Sequence, residues 1–255
     1  MIVREHPNEF IMIEQDNHAH ISGEIISKWR NDLFTGKELR RSVEHAIYMH
    51  DYGWKAFDNQ PFWNDIGQAP YTFIDFPTSA KVVLYEHGID AVEQADAYAA
   101  LLCSEHYKRF LLKDSSTESR AFVKKEGERQ QRIINTLPEF DELVFDFHYG
   151  LLQFCDNLSL YMCLNEPNTT KENVHPFFRG GLALSPALHF FDQQKMQLCW
   201  EGENTIEMET LPFLEDLTIK LKQKAVQKEK IKQNGLINAY ETAPIQTVDI
   251  QLLFG

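Results

Sequence analysis

Residues 142–164 read ELVFDFHYGLLQFCDNLSLYMCL. This run is apolar on nearly every side, which marks a helix buried all round rather than one with a single wet face. It therefore predicts a helical body with this segment at its centre. One residue breaks the pattern. Asp156 has Leu152, Leu160 and Cys163 as helical neighbours, at four residues before and at four and seven after. A carboxylate facing a packed interior needs a cation, a strong hydrogen-bond donor or a proton, because an unpaired buried charge is costly.

Helical patterns recur upstream at about 16–29, 38–50, 79–87, 91–112 and 116–135, and His87 before Gly88 reads as a helix end. Residues 1–15 read as two short strands around a His-Pro-Asn turn. Residues 57–78 read as a long ordered loop whose Phe57, Phe62, Trp63, Tyr71, Phe73 and Phe76 form either extra core or a wall for a planar substrate. Residues 165–190 are linker-like. Beyond them MQLCW, TIEMETL, LTIKLKQKAVQKEKI and IQTVDIQLLFG alternate with period two and predict strands, with a short helix at 235–242.

The chain has 255 residues, 43% of them hydrophobic, which is ample for one main core with an appendage. The expected division is a helical metal-binding domain with an N-terminal hairpin at 1–190 and a β-rich segment packed on it at 191–255. A net charge of −13 opposes nucleic-acid binding, whose affinity rests on cationic contacts to phosphate. No segment approaches a membrane span. Cys103, Cys155, Cys163 and Cys199 form no CxxC pair and read as small hydrophobes in a reducing compartment. A cytoplasmic protein with a small-molecule substrate, and neither a nucleic-acid nor a membrane partner, is the expectation.

His50 lies three, four and seven residues after Ile47, Ala46 and Val43, on the apolar face of its helix, and Asp51 follows at the helix end. Side by side there, the two can bind one ion. The competing reading is a core histidine bonded to a backbone carbonyl beside a helix-ending aspartate. Two further histidines compete as a ligand. His18 shares a face with Ile21, Ser22 and Ile25, and His20 with Gly23, Glu24 and Ser27, so the helical period turns His18 inward. His106, four residues after Leu102 and seven after Ala99, also faces inward, as a further ligand, a substrate contact or a core histidine.

A histidine in an early helix, a His-Asp pair and an aspartate in a late buried helix together resemble the HD superfamily of metal-dependent phosphohydrolases. The resemblance spans residues 18–164. The phrases DNHAHISGEI, MHDYGWKAF, YAALLCSEHY and FCDNLSLYMC also look like an uncharacterised bacterial branch of HD-like proteins. The resemblance implies a mainly α fold, an HD-type helical bundle, to which the alternating chain ends would add a small antiparallel β layer. It implies one divalent ion (Mn, Fe, Ni, Co, Zn or Mg) held by His18, His50, Asp51 and Asp156. The implied activity is hydrolysis of a phosphoester or nucleotide, with His106 or Glu105 as general acid or base. Many HD hydrolases carry an acid or lysine three residues after the HD aspartate. Here Trp54 stands there with Lys55 beside it, so that helper is missing or displaced to Lys55. Two alternatives stand beside this one. The first is an HD-type di-iron oxygenase, for which His87, His106 and His148 are the available extra histidines. The second is a non-catalytic site that binds a metal or ligand.

Overall fold

The structure, a computed structural model, describes residues 1–210 and 212–254. The stretch quoted above is a single helix, α7 (Glu142–Leu164), N-capped by Asp141, whose carboxylate accepts from the N–H groups of Leu143 and Val144. Three helices pack on it: α1 (Gln15–Ser27), α2 (Arg40–Met49) and α5 (Ala97–Leu111). Helices α4 (Thr78–Ala95) and α6 (Thr117–Ile134) pack on the far side of α5. No helix among the described residues is long and apolar enough to cross a membrane.

The break expected between residues 87 and 91 is absent, and α4 runs straight through Gly88. The helix ends instead at Asp96, whose side chain accepts from the Ala99 N–H at 2.9 Å and so caps α5. Gly88 has another use. A 3-10 turn, Tyr52–Trp54, crosses α4 there, and a Cβ on Gly53 would lie 2.1 Å from the Leu84 carbonyl oxygen. This close backbone approach fixes the turn that Asp51 opens. The segment 57–78 is only partly loop. It holds the end of α3 (Lys55–Asn59) and a small hairpin of β3 (Trp63–Asn64) and β4 (Ala69–Pro70). Phe57 belongs to the core and Phe76 packs against it beside Trp54, while Phe62 stacks on Phe57 but is exposed.

The β structure corrects the expected mainly α bundle with a small antiparallel layer. Helices hold 51% of the chain, so an all-α description leaves half of it out. The remainder includes a curled, mixed, six-stranded sheet shaped as a half-barrel. Its strands are β1 (Ile2–Glu5), β2 (Glu9–Ile13), β7 (Leu198–Glu201), β8 (Thr205–Met208), β9 (Leu217–Gln227) and β10 (Ile245–Phe254), in the order β1-β2-β9-β10-β8-β7. A separate two-stranded pair joins β5 (Leu182–Ala183) to β6 (Lys195–Met196). Strand β10 is antiparallel to β9 and parallel to β8, with Leu252 opposite Ile206. A parallel pair needs a long crossover. Here β9 and the helices α8 (Lys228–Asn234) and α9 (Leu236–Thr242) supply it. Alternation revealed these strands but carried no information on direction or partner. It also overran at one point, since residues 228–231 are helical.

The sheet spans both expected units, because β2 from the N-terminal hairpin pairs with β9 through Phe10 opposite Val226. In β9, Leu217, Ile219 and Leu221 face inward, while Thr218, Lys220 and Lys222 face water. Only Glu14 separates β2 from α1, so the sheet sets the entry of the helix that carries His18.

Candidate metal centre

Five elements bring five side chains to one point. His18 comes from α1, His50 from the residue after α2, Asp51 from the start of the 3-10 turn, His106 from α5 and Asp156 from the middle of α7. All are buried, and Asp156 retains the most exposure of the five, at 8%. Two overlapping groups, His18 with His50 and Asp51, and His50 with His106 and Asp156, have their donor atoms clustered tightly enough to hold an ion. His18, His50, Asp51 and Asp156 are thus positioned to bind a metal.

Five edges of that four-residue set can be stated. The Nε2 atoms of His18 and His50 are 3.2 Å apart. His18 Nε2 lies 3.4 Å from Asp51 Oδ2 and 3.2 Å from Asp156 Oδ1. His50 Nε2 lies 3.8 and 3.4 Å from the same two oxygens. Donors about 2.1 Å from a shared ion stand about 3.4 Å apart in a tetrahedron and about 3.0 Å apart at right angles. The observed edges suit either arrangement.

The hydrogen bonds around the cluster fix which nitrogen faces it. His50 Nδ1 donates to the Ile47 carbonyl at 2.7 Å, which leaves Nε2 with its lone pair in the neutral ring. The Ser159 hydroxyl donates to the Asp156 carbonyl and accepts from His18 Nδ1 at 2.6 Å, so His18 Nε2 is also turned inward. Ser22 supports Ser159 at 2.8 Å. The Tyr107 hydroxyl donates to Asp51 Oδ1 at 3.0 Å and leaves Oδ2 to the cluster. Partners of this kind orient metal ligands and select their tautomer.

The charges follow from this packing. Burial disfavours a proton on His18, but hydrogen bonds to Asp156 and Asp51 outweigh it and raise its pKa to about 9. Burial likewise opposes charge on Asp156, yet its close contacts with His18 and His50 hold its carboxyl far below the ordinary range. Asp51 is lowered against its burial by His50 and His18. Without a metal, the proton on His18 serves as the cation between the carboxylates. Burial drives His106 the other way, down to about 4, and leaves its ring neutral at pH 7. Its Nε2 is 4.0 Å from Asp156 Oδ2, and its buried Nδ1 has no hydrogen-bond partner.

Other residues singled out in the sequence lie apart from the cluster. His20 stacks on Tyr48 and faces Asp16. Lys55 pairs with Asp16 at 3.3 Å. Glu105 is tied to Lys108, Arg109 and Gln130, so its oxygens are engaged on the outer side of α5. His148 is held by Tyr98 and the Thr35 carbonyl. Cys103, Cys155 and Cys163 are buried free thiols outside the set. Sequence reasoning missed Tyr107 and Ser159. Ser159 sits three residues after Asp156, a spacing that places it on the same helix face.

The comparisons add a family without an activity. No curated protein and no solved structure matches the chain. One family model does, over residues 1–228, which takes in every residue of the cluster and all of β9. The chain belongs to that family, described as "Protein of unknown function (DUF3891)".

Proposed function

We propose that this protein is a metal-dependent hydrolase acting on a phosphoester or nucleotide, with its ion held by His18, His50, Asp51 and Asp156. One observation carries the reading. Two imidazole nitrogens, each with its partner nitrogen committed elsewhere, face one another at 3.2 Å between two buried carboxylates. A divalent cation satisfies all four groups at once. The order of these residues along the chain, which resembles that of HD phosphohydrolases, supports the same reading. A mixed imidazole and carboxylate set without thiolate favours Mn, Fe, Co, Ni or Zn over Mg, which prefers oxygen ligands.

When bound, such an ion supplies Lewis-acid polarisation of a phosphoryl oxygen and lowers the pKa of water at its open position. The chain supplies the rest. Tyr107 and Ser159 hold Asp51 and His18 in their binding orientations. His106 is the candidate for moving a proton, since it borders the cluster at 4.0 Å from Asp156 Oδ2, lies outside the four-ligand set and has one nitrogen unpartnered. Arg109, three residues after His106 on α5, lies 4.3 Å over the Tyr149 ring, and its charge is already paired with Glu105 at 2.6 Å.

His106 also favours a second reading. With His50 and Asp156 it extends the donor set, as an iron oxygenase requires. The test is metal analysis of the purified protein, then a phosphatase, phosphodiesterase and nucleotidase panel with Mn²⁺, Co²⁺ and Ni²⁺. Hydrolysis that is lost in His50→Ala supports the first reading. An iron-loaded protein with a Mössbauer signal and no hydrolysis supports the second. Metal binding with neither leaves a non-catalytic site.

A further inference from the structure

A second site lies away from the metal cluster. Strand β2, the β3–β4 hairpin and helices α8 and α9 enclose a cleft of about 540 Å³. That volume is in the range of small-molecule sites. Its walls are apolar: Phe10 meets Trp63 edge to face at 6.1 Å, and Ile231 and Leu236 line the opposite side. Two charged residues line it, Lys228 and Lys232, and no acid does. In a chain with a net charge of −13 this is a local reversal of sign.

The two lysines are not equivalent. Lys228 pairs with Glu5 at 2.6 Å and lies 4.7 Å over the Phe10 ring, so its charge is balanced and its position fixed. Lys232 is exposed and has no ion-pair partner among the described residues. The cleft therefore offers an aromatic and aliphatic floor with one uncompensated positive charge at the rim.

We propose that this cleft binds a small amphipathic monocarboxylate, its apolar tail between Trp63 and Leu236 and its carboxylate at Lys232. A single free ammonium matches a monoanion better than a phosphate dianion. The walls bury a tail at roughly 25 cal/mol per Å² of apolar surface, so the tail supplies most of the affinity and the lysine the choice of head group.

The test uses the full-length protein with octanoate, octylammonium and 1-octanol as probes. Trp29, Trp54 and Trp200 are buried at 2, 1 and 5% exposure, and Trp63 is the half-buried indole. Octanoate should shift tryptophan emission saturably, and Trp63→Phe should remove that shift. Calorimetry should rank octanoate above octylammonium. Lys232→Glu, at an exposed position that leaves the fold intact, should weaken octanoate by about fivefold and leave 1-octanol unchanged. Ile231→Phe, which fills the cleft, should weaken all binding, with circular dichroism confirming the fold. No saturable octanoate binding, octylammonium binding as tightly as octanoate, or an octanoate affinity unmoved by Lys232→Glu would each overturn the proposal.

Discussion

His18 and His50 point their Nε2 atoms at one another across 3.2 Å, although they come from different helices 32 residues apart. Two neutral imidazoles would not settle lone pair to lone pair in a buried site. A cation must lie between them, either a proton or a metal, and the two flanking aspartates carry the charge to hold it.

The first prediction separates His18 from its neighbour. His18→Ala should abolish metal retention, because its ring makes three of the five stated edges of the four-residue set. His20→Ala should leave metal content unchanged, since that ring stacks on Tyr48 outside the cluster. Elemental analysis of both variants decides it, and the reverse result would mean that α1 is rotated from the register described.

Tyr107 supports the site without touching the ion. Tyr107→Phe keeps the ring stacked on Tyr85 and removes only the hydrogen bond to Asp51. Metal affinity should fall about 10- to 100-fold, the usual cost of losing an outer partner. Calorimetric titration with Mn²⁺ or Co²⁺ measures it. An unchanged affinity would make the hydroxyl a packing feature.

Metal uptake should depend on pH with a definite sign. In the metal-free protein His18 keeps its proton up to a pKa of about 9, above its ordinary 6.5. An ion needs that lone pair, so binding expels the proton at any lower pH. Affinity should rise about tenfold per unit between pH 6 and 8 and level off above 9. Stability runs the other way for the metal-free protein. The stabilisation from protonated His18 is complete below about pH 6.5 and is lost as pH rises through about 9. The Tm of chelator-treated protein should therefore fall across that window more than the Tm of loaded protein. Calorimetry in buffers of different ionisation enthalpy should count about one proton released per ion at pH 7.

Removing residues from 194 onward should destabilise the whole protein. That deletion takes away β9 and β10, the middle of the six-stranded sheet, and leaves β1 and β2 as a lone hairpin. Such a hairpin is marginal in water. Here it would also expose Phe10 and Met12, which are buried at 1%. A 1–193 chain that unfolds cooperatively at an unchanged Tm would show the helical body to be independent of the sheet.

Much of the cluster was legible because helical period is a strong signal. The 3.6-residue repeat turned His18 inward and His20 outward, put His50 on an apolar face and exposed Asp156 as a carboxylate among leucines. Tyr107 was not legible. It follows His106 directly, and adjacent helical residues point about 100° apart, so nothing in the sequence says that both reach the same cluster. Gly88 misled because glycine usually marks a helix end, whereas here it makes room for the backbone of Gly53. The sheet was half legible. Leu217, Ile219 and Leu221 announced a strand, but that β9 would pair with β2 some two hundred residues away depends on packing that no local pattern records.

The most direct measurement is the metal content of the wild-type protein and of Asp156→Asn, purified and loaded identically, with circular dichroism on both. Asparagine keeps the shape of the side chain and removes the charge that a divalent ion requires. The account predicts about one or more firmly held divalent ions per wild-type chain and none in a folded Asp156→Asn protein. A wild-type chain that takes up no divalent ion, or equal metal in the two proteins, would contradict it.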